Sequence, residues 1–233
     1  MTGGTYSVRR DELENYFDRT AVEAWKRLTS DAPVSRVRAT VRAGRDGMRE
    51  TIVSWLPEDL RGARVLDAGC GTGALSVAMA QRGADVVGVD VSPTLIGLAS
   101  ERAPRDLGPG QADFRVGDML DPALGRFDYV VAMDSLIHYE STDVVRIVAA
   151  LAGRAQRAVA FTFAPRTALL SGMHAVGKLL PRGDRAPAIA PISKRALERR
   201  LAGALSDGSW RISRNRRIVS GFYISEALEI TRP

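Results

Sequence analysis

The sequence has one cysteine, Cys70, among 233 residues. An intrachain disulfide is therefore excluded, and stability has to come from a packed core. Long apolar runs are also missing. No stretch approaches the roughly eighteen residues that a membrane-spanning helix needs. Met1–Arg10 lacks the apolar centre of a secretion signal. These absences lead us to expect a soluble, cytoplasmic protein. Lysine is scarce, occurring only as Lys26, Lys178 and Lys194, so the basic side chains are almost all arginine. The net charge is +6 and the pI about 10.0. That balance admits an anionic partner: nucleic acid, an anionic membrane surface or an acidic substrate. It equally admits the compositional bias of an arginine- and alanine-rich chain. No dense basic run with interleaved aromatics appears. The four arginines of Arg211–Arg217 fall in an alternating segment, which places them on one polar strand face. There is no internal repeat and no low-complexity tail.

What is present fits one α/β domain with additions; 45% of the residues are hydrophobic, enough for a full core. Residues 9–55 read as helices, from Leu13, Tyr16, Phe17, Val22, Trp25 and Leu28 and then Val37, Val41, Met48, Ile52, Val53 and Leu56, with Pro33 between and Pro57 after. Strands and helices alternate from Arg64 onward. Strands are predicted over Ala63–Asp67, Asp85–Asp90, Ala112–Val116, Phe127–Met133 and Arg157–Phe163. Helices are predicted over Ala74–Arg82, Thr94–Arg102, Asp143–Ala152 and Ser193–Leu205, the second capped by Ser92 with Pro93 at its first position. Trp210–Ser220 and Phe222–Thr231 read as a final hairpin around Ser220-Gly221. The alternation predicts a doubly wound α/β fold with a seven-stranded, mostly parallel sheet. Residues 1–58 form a helical arm before it and 59–233 the main domain. Residues 165–192, with Pro165, Pro181, Pro187 and Pro191, break the rhythm and read as a lid inserted after the fifth strand. Residues 9–30 and 165–192 are expected to be mobile without ligand and to become ordered over the acceptor.

The strongest local signal is Val65-Leu-Asp-Ala-Gly-Cys-Gly-Thr-Gly73, which runs from a buried strand through a glycine turn into a helix. Gly69, Gly71 and Gly73 permit a tight turn and close approach of a ligand. Asp90 ends the next strand, 23 positions after Asp67, where a carboxylate can accept from both hydroxyls of a ribose. Asp118 ends the third strand and can accept an adenine amino group. Gly69-x-Gly71-x-x-Ala74 also satisfies a loose dinucleotide fingerprint. Two features favour a methyl donor instead. Asp67 stands two residues before the first glycine, where it can hold a cationic amine, and Asp118 lies on the same rim.

This layout resembles class I S-adenosylmethionine-dependent methyltransferases over about residues 60–231. The resemblance implies that Asp67, Gly69 and Gly71 hold the methionine part, Asp90 the ribose, and Asp118 with Met119 the adenine. Asp134 would help close the pocket. Cys70 reads as a turn filler and Met133 as core.

Three further segments narrow the family: Tyr16-Phe17-x-x-Thr20-x-x-x-x-Trp25, Asp134-Ser-Leu-Ile-His-Tyr139 and Phe161-x-Phe-Ala-Pro-Arg-Thr167. Together they resemble magnesium-protoporphyrin IX O-methyltransferases, in the purple-bacterial form, over nearly the whole chain. The resemblance implies methylation of one propionate of the porphyrin in (bacterio)chlorophyll synthesis, S-adenosylhomocysteine as product, and magnesium present only as part of the substrate. It implies magnesium chelatase as the enzyme that hands over the substrate, and contact with the periphery of the photosynthetic membrane. Oxygenic relatives carry a tyrosine four residues after the tryptophan, where this chain has Thr29. Tyr16 is nearby in sequence without being the equivalent residue, and stands as the N-terminal tyrosine candidate for catalysis.

A porphyrin is an apolar plate with acidic edges, which a helical arm and an apolar lid suit. Arg42 or Arg166 would hold its propionates. His138 would orient the carboxylate, ligate magnesium or cap local backbone; His174 in the lid reads as structural. Two other readings stay open: a methyltransferase acting on RNA or another small molecule, and a non-enzymatic adaptor that binds the methyl donor.

Overall fold

The computed structural model describes residues 4–20, 36–166, 189–206 and 208–232. Most of the predicted lid and the Trp25–Thr29 segment lie outside the described residues, as does His174. Helix α1, Gly4–Asn15, leads into a π-helical turn, Tyr16–Thr20. The arm therefore begins earlier than its apolar periodicity indicates and changes winding where helical spacing alone predicts continuation. Such turns recur at functional sites. Helix α2 spans Arg36–Trp55. The alternating region then runs β1 (Arg64–Ala68), α3 (Ala74–Ala80), β2 (Asp85–Asp90), α4 (Pro93–Arg102), β3 (Gln111–Val116) and β4 (Phe127–Ala132). It continues with α5 (Ser141–Arg154), β5 (Ala155–Phe163), α6 (Lys194–Ala204), β6 (Arg211–Ser220) and β7 (Tyr223–Thr231).

Among the described residues these strands form one seven-stranded sheet in the order β3-β2-β1-β4-β5-β7-β6. The first five are parallel, and β7 enters antiparallel beside β5. The order reverses between β1 and β4, so the crevice at their carboxyl ends is where a doubly wound sheet takes its ligand. Adjacent residues on β1, β2, β4, β5 and β7 face opposite cores, as the period-two pleat requires. Leu66, Val130, Phe161 and Leu228 pack with Val144, Ile147 and Leu151 of α5 and Leu197 and Leu201 of α6. Val65, Val131, Ala160 and Ala227 pack with Met48, Ile52 and Leu56 of α2 and Leu75 and Met79 of α3. Each fully buried Leu, Ile or Phe contributes about 1.5–3 kcal/mol. The arm belongs to the first of these cores through Leu13, with Tyr6 and Phe17 against it.

Ser92 caps α4 as predicted: its Oγ accepts from the Leu95 N–H at 3.2 Å, and Pro93 occupies the first turn. The hairpin turn is also where it was predicted. Gly221 has φ 57°, and Ser220 pairs with Tyr223 across it. The arginines of β6 require a correction. They do not share one polar face, because β6 is an edge strand exposed on both faces from Arg211 to Arg217. Two of them serve buried carboxylates on β7. Arg217 donates to Glu226 Oε2 at 2.9 and 2.7 Å, and Arg214 lies 3.0 Å from Glu229 Oε2. Charged edge residues of this kind also discourage strand-to-strand aggregation.

Candidate active site

Strand β1 delivers Asp67 into a buried position at the sheet's carboxyl end, where Ser76 Oγ donates to its Oδ2 at 2.6 Å. Burial, with the nearby Asp90 charge adding to it and the Ser76 hydrogen bond opposing it, pushes the Asp67 carboxyl up to about 7. The chain then turns through Gly69, whose φ is 81°. A Cβ built there would overlap the Ser135 side chain, so the loop and the end of β4 touch through a glycine. A Cβ on Gly73 would lie 2.7 Å from the Phe114 ring, and its φ is 79°. Both positions need glycine for conformation and for space.

Asp90, at the end of β2, is half-buried. Its Oδ2 accepts from the Gly71 N–H and its Oδ1 from the Ser92 N–H, each at 3.0 Å. Lone pairs remain on both oxygens for ligand hydroxyls. Burial raises its pKa, and these backbone donors oppose that shift. Asp118, two residues beyond β3, accepts from the Leu120 N–H at 2.8 Å and from the Tyr6 hydroxyl at 2.5 Å, both on Oδ1; Arg10 donates to Oδ2 at 3.0 Å. Met119 beside it is buried. Arg154, closing α5, donates to the Leu120 and Asp121 carbonyls at 2.9 Å each and steadies this loop. The fold thus brings Asp67, Asp90 and Asp118 to the ends of three adjacent strands.

The arm supplies residues that no local pattern marks. Besides Tyr6 and Arg10, Asp18 of the π turn accepts from Ser92 Oγ at 2.5 Å and from the Thr94 N–H at 3.2 Å. It sits at the amino end of α4, where a carboxylate complements the helix dipole. Asp18 is 74 residues from Ser92 in sequence, so only the tertiary fold shows the contact.

The residues expected to face the acceptor lie beyond β4. The carboxylate of Asp134, the residue expected to help close the pocket, is held from within the fold. It reaches toward β5 and β7, accepting from the Tyr223 hydroxyl at 3.0 and 3.2 Å, with Arg45 of α2 3.4 Å away. The neighbouring Ser135 is what meets the glycine loop. His138 closes a 3-10 turn, Leu136–His138, and lies edge-on to Phe17 of the arm at 6.2 Å between ring centroids. Tyr139 is buried and stacks on Tyr6 at 5.5 Å. Tyr16 meets Phe17 edge-on at 5.2 Å, and burial raises its hydroxyl pKa. Arg42 is half-buried on α2, one turn before Arg45. Arg166 follows β5 with an exposed side chain, and its N–H donates to the Ile192 carbonyl at 2.9 Å. No local motif marks Arg45 or Tyr223.

Residues 132–232 match the family described as magnesium-protoporphyrin IX methyltransferase C-terminus, and residues 65–156 match a methyltransferase domain. The chain is 52% identical over 225 residues to the magnesium-protoporphyrin O-methyltransferase of Rhodobacter capsulatus, covering 96% of this chain and 97% of that one. The chain belongs to the magnesium-protoporphyrin O-methyltransferase family. A Synechocystis member is 34% identical over 94% of this chain and 95% of its own length. The crystal structure of magnesium protoporphyrin IX methyltransferase from Synechocystis PCC 6803 with bound SAH matches with a TM-score of 0.84 and 31% identity, over 97% of this chain and 100% of that chain. The same enzyme with bound SAM matches with a TM-score of 0.80, 28% identity and 97% coverage of each chain.

Two expectations follow for this family member. Asp90→Ala should weaken S-adenosylhomocysteine binding about tenfold to a hundredfold, since hydrogen bonds to a charged group are worth about 1.5–3 kcal/mol. Unchanged affinity by calorimetry would remove Asp90 from the site. The second expectation concerns Asp67 and pH. Asp67 keeps its proton in the fold up to about pH 7, whereas the unfolded chain loses it near pH 4. Its burial therefore weighs increasingly against the fold as pH rises through that window. A bound methionine ammonium favours the ionised form, so binding below pH 7 should release a proton. The affinity should then fall toward about tenfold per pH unit below that point. Calorimetry in buffers of different ionisation enthalpy reads the proton directly; a flat affinity from about pH 5.5 to 8 would show that Asp67 does not meet the ammonium.

Proposed function

We propose that this protein transfers the methyl group of S-adenosylmethionine to one propionate carboxylate of magnesium protoporphyrin IX, giving the monomethyl ester. The observation that carries this reading is the 52% identity to the Rhodobacter capsulatus enzyme over nearly the full length of both chains. The site's chemistry supports it. A buried carboxylate at Asp67 suits a cationic amine, and Asp90 keeps lone pairs for ribose hydroxyls. Asp118 and Met119 are the residues assigned to the adenine, and Gly69 leaves no room for a side chain between its loop and Ser135.

When bound, the sulfonium supplies an electrophilic methyl group. The chain's part is placement. A propionate has a pKa of roughly 4–5, so it reaches the site already ionised and needs no general base. One carboxylate oxygen forms the new bond to carbon while the carbon–sulfur bond breaks and its electron pair stays on sulfur, leaving S-adenosylhomocysteine. Holding the oxygen in line with that bond supplies about 7–11 kcal/mol of the lowering of the barrier. In this reading His138 donates to the oxygen that does not attack. The arm contributes Phe17 against His138, and Tyr16 packs on Phe17. Arg42, on the helix that faces Asp134, and Arg166, after β5, are the guanidinium groups assigned to the propionates.

The same reading makes magnesium chelatase the source of the substrate and sets the enzyme at the surface of the photosynthetic membrane. The exposed arginines of β6 suit an anionic surface. Among the described residues no helix is long and apolar enough to cross a membrane. The test is a reaction with isotopically labelled donor, offered magnesium protoporphyrin IX and RNA in parallel. Mass spectrometry should find one added methyl, as an ester, on the porphyrin. Labelled RNA beside an unmodified porphyrin would overturn the proposal.

A further inference from the structure

The corner after β4 is built unlike the other strand ends. Asp134 is the one non-glycine among the described residues with positive φ, at 54°. Aspartate tolerates that conformation better than most residues, but it is held only where surroundings determine it. Here they do. The Asp134 N–H donates to Thr162 Oγ1 on β5 at 2.7 Å. Its carboxylate accepts from the Tyr223 hydroxyl on β7 at 3.0 and 3.2 Å and from Ser225 Oγ at 3.4 Å, and Arg45 of α2 lies at 3.4 Å. Burial, and the adjacent Asp134 charge, raise the Tyr223 pKa, so its hydroxyl stays a donor.

What this corner carries is the acceptor side of the site. Ser135 Oγ donates to the Ala68 carbonyl at the end of β1 at 2.8 Å, and Ser135 packs against Gly69. Leu136 is fully buried, the Ile137 carbonyl accepts from the Ala190 N–H at 2.9 Å, and His138 follows. The direction in which the chain leaves β4 sets where Ser135 meets the donor loop and where His138 points.

We propose that Asp134 and Tyr223 are a positioning pair that holds the His138 turn against the methyl-donor loop. The proposal rests on the reading of His138 given above. In this reading neither residue touches the reacting atoms. The pair acts by fixing a left-handed corner that would otherwise relax, and displacement of a positioned group by about 1 Å can cost a hundredfold in rate.

Tyr223→Phe tests it with little risk to folding, because the ring that packs beside Gly44 is kept and only the hydroxyl is lost. Single-turnover transfer to magnesium protoporphyrin IX should slow about tenfold, with affinity for S-adenosylhomocysteine kept within about threefold. Asp134→Asn, which tolerates positive φ and keeps one acceptor oxygen, should lose less than Asp134→Ala. The deciding measurement is a cycle with His138. Groups that act through one another are not additive, so Tyr223→Phe should cost less than about twofold once His138 is alanine. A full tenfold loss in that background, or no loss in the wild-type background, would overturn the pairing. If His138→Ala alone transfers at the wild-type rate, the reading of His138 falls and the pair falls with it. That outcome is distinct from a pair that fails while His138 stands.

Discussion

His138→Ala is expected to lose about 30- to 1,000-fold in turnover, the equivalent of roughly 2–4 kcal/mol for a removed donor to a reacting carboxylate. Affinity for S-adenosylhomocysteine should stay within a few-fold. The expectation comes from place and from chemistry. His138 closes the turn after β4, whereas Asp90 and Asp118 are held by the backbone N–H groups of Gly71, Ser92 and Leu120, so its loss should leave those two carboxylates in place. The propionate needs no deprotonation, so the imidazole's useful property is its N–H. His138→Gln keeps a donor and should retain more activity than the alanine variant. Equal inactivity of the two, together with wild-type turnover that follows an imidazole titration, would make His138 a base. A porphyrin absorption shift present in the wild-type complex and lost in both variants would make it an axial ligand to magnesium.

Gly69→Ala should abolish measurable donor binding, a loss of more than about a hundredfold, and lower the thermal midpoint as well. Two independent costs meet at this residue. An alanine at φ 81° pays roughly 1–2 kcal/mol for a left-handed backbone. Its methyl group would also occupy the space of the Ser135 side chain, and overpacking of that kind costs about 1–3 kcal/mol more. Relief requires the donor loop or the β4 corner to move, and the first holds Asp67 while the second holds His138. Calorimetry with S-adenosylhomocysteine and a thermal melt read the two effects separately. Donor affinity within threefold of wild type would show that the loop does not bind the donor as described. By contrast, Gly47→Ala, where an added Cβ meets nothing within 4 Å, should leave affinity unchanged.

Several features were legible because they are local. Asp67, the glycine loop and Asp90 follow from a buried strand that ends on small residues. The Ser92 cap with Pro93 and the Gly221 turn depend on a few consecutive residues whose preferred conformations decide the outcome. Strand and helix alternation foretold the parallel sheet because each βαβ unit has essentially one handed way to close. The arginines of β6 were misread because alternation shows where a side chain points and not whether the strand has neighbours on both sides. An edge strand exposes both faces, and its alternation then carries no inside.

Backbone preference and hydrophobic period act over a few residues, and they were enough to give the fold class, the glycine loop and the strand-end carboxylates. The tertiary structure alone decided what those carboxylates meet. Tyr6 reaches Asp118 across 112 residues, Asp18 reaches Ser92 across 74, and Tyr223 reaches Asp134 across 89. Each is a long-range polar contact with no repeat and no period to announce it. Which hydroxyl or guanidinium satisfies a buried carboxylate depends on which elements the packed sheet and helices bring within about 3 Å, and that is settled only when the core closes.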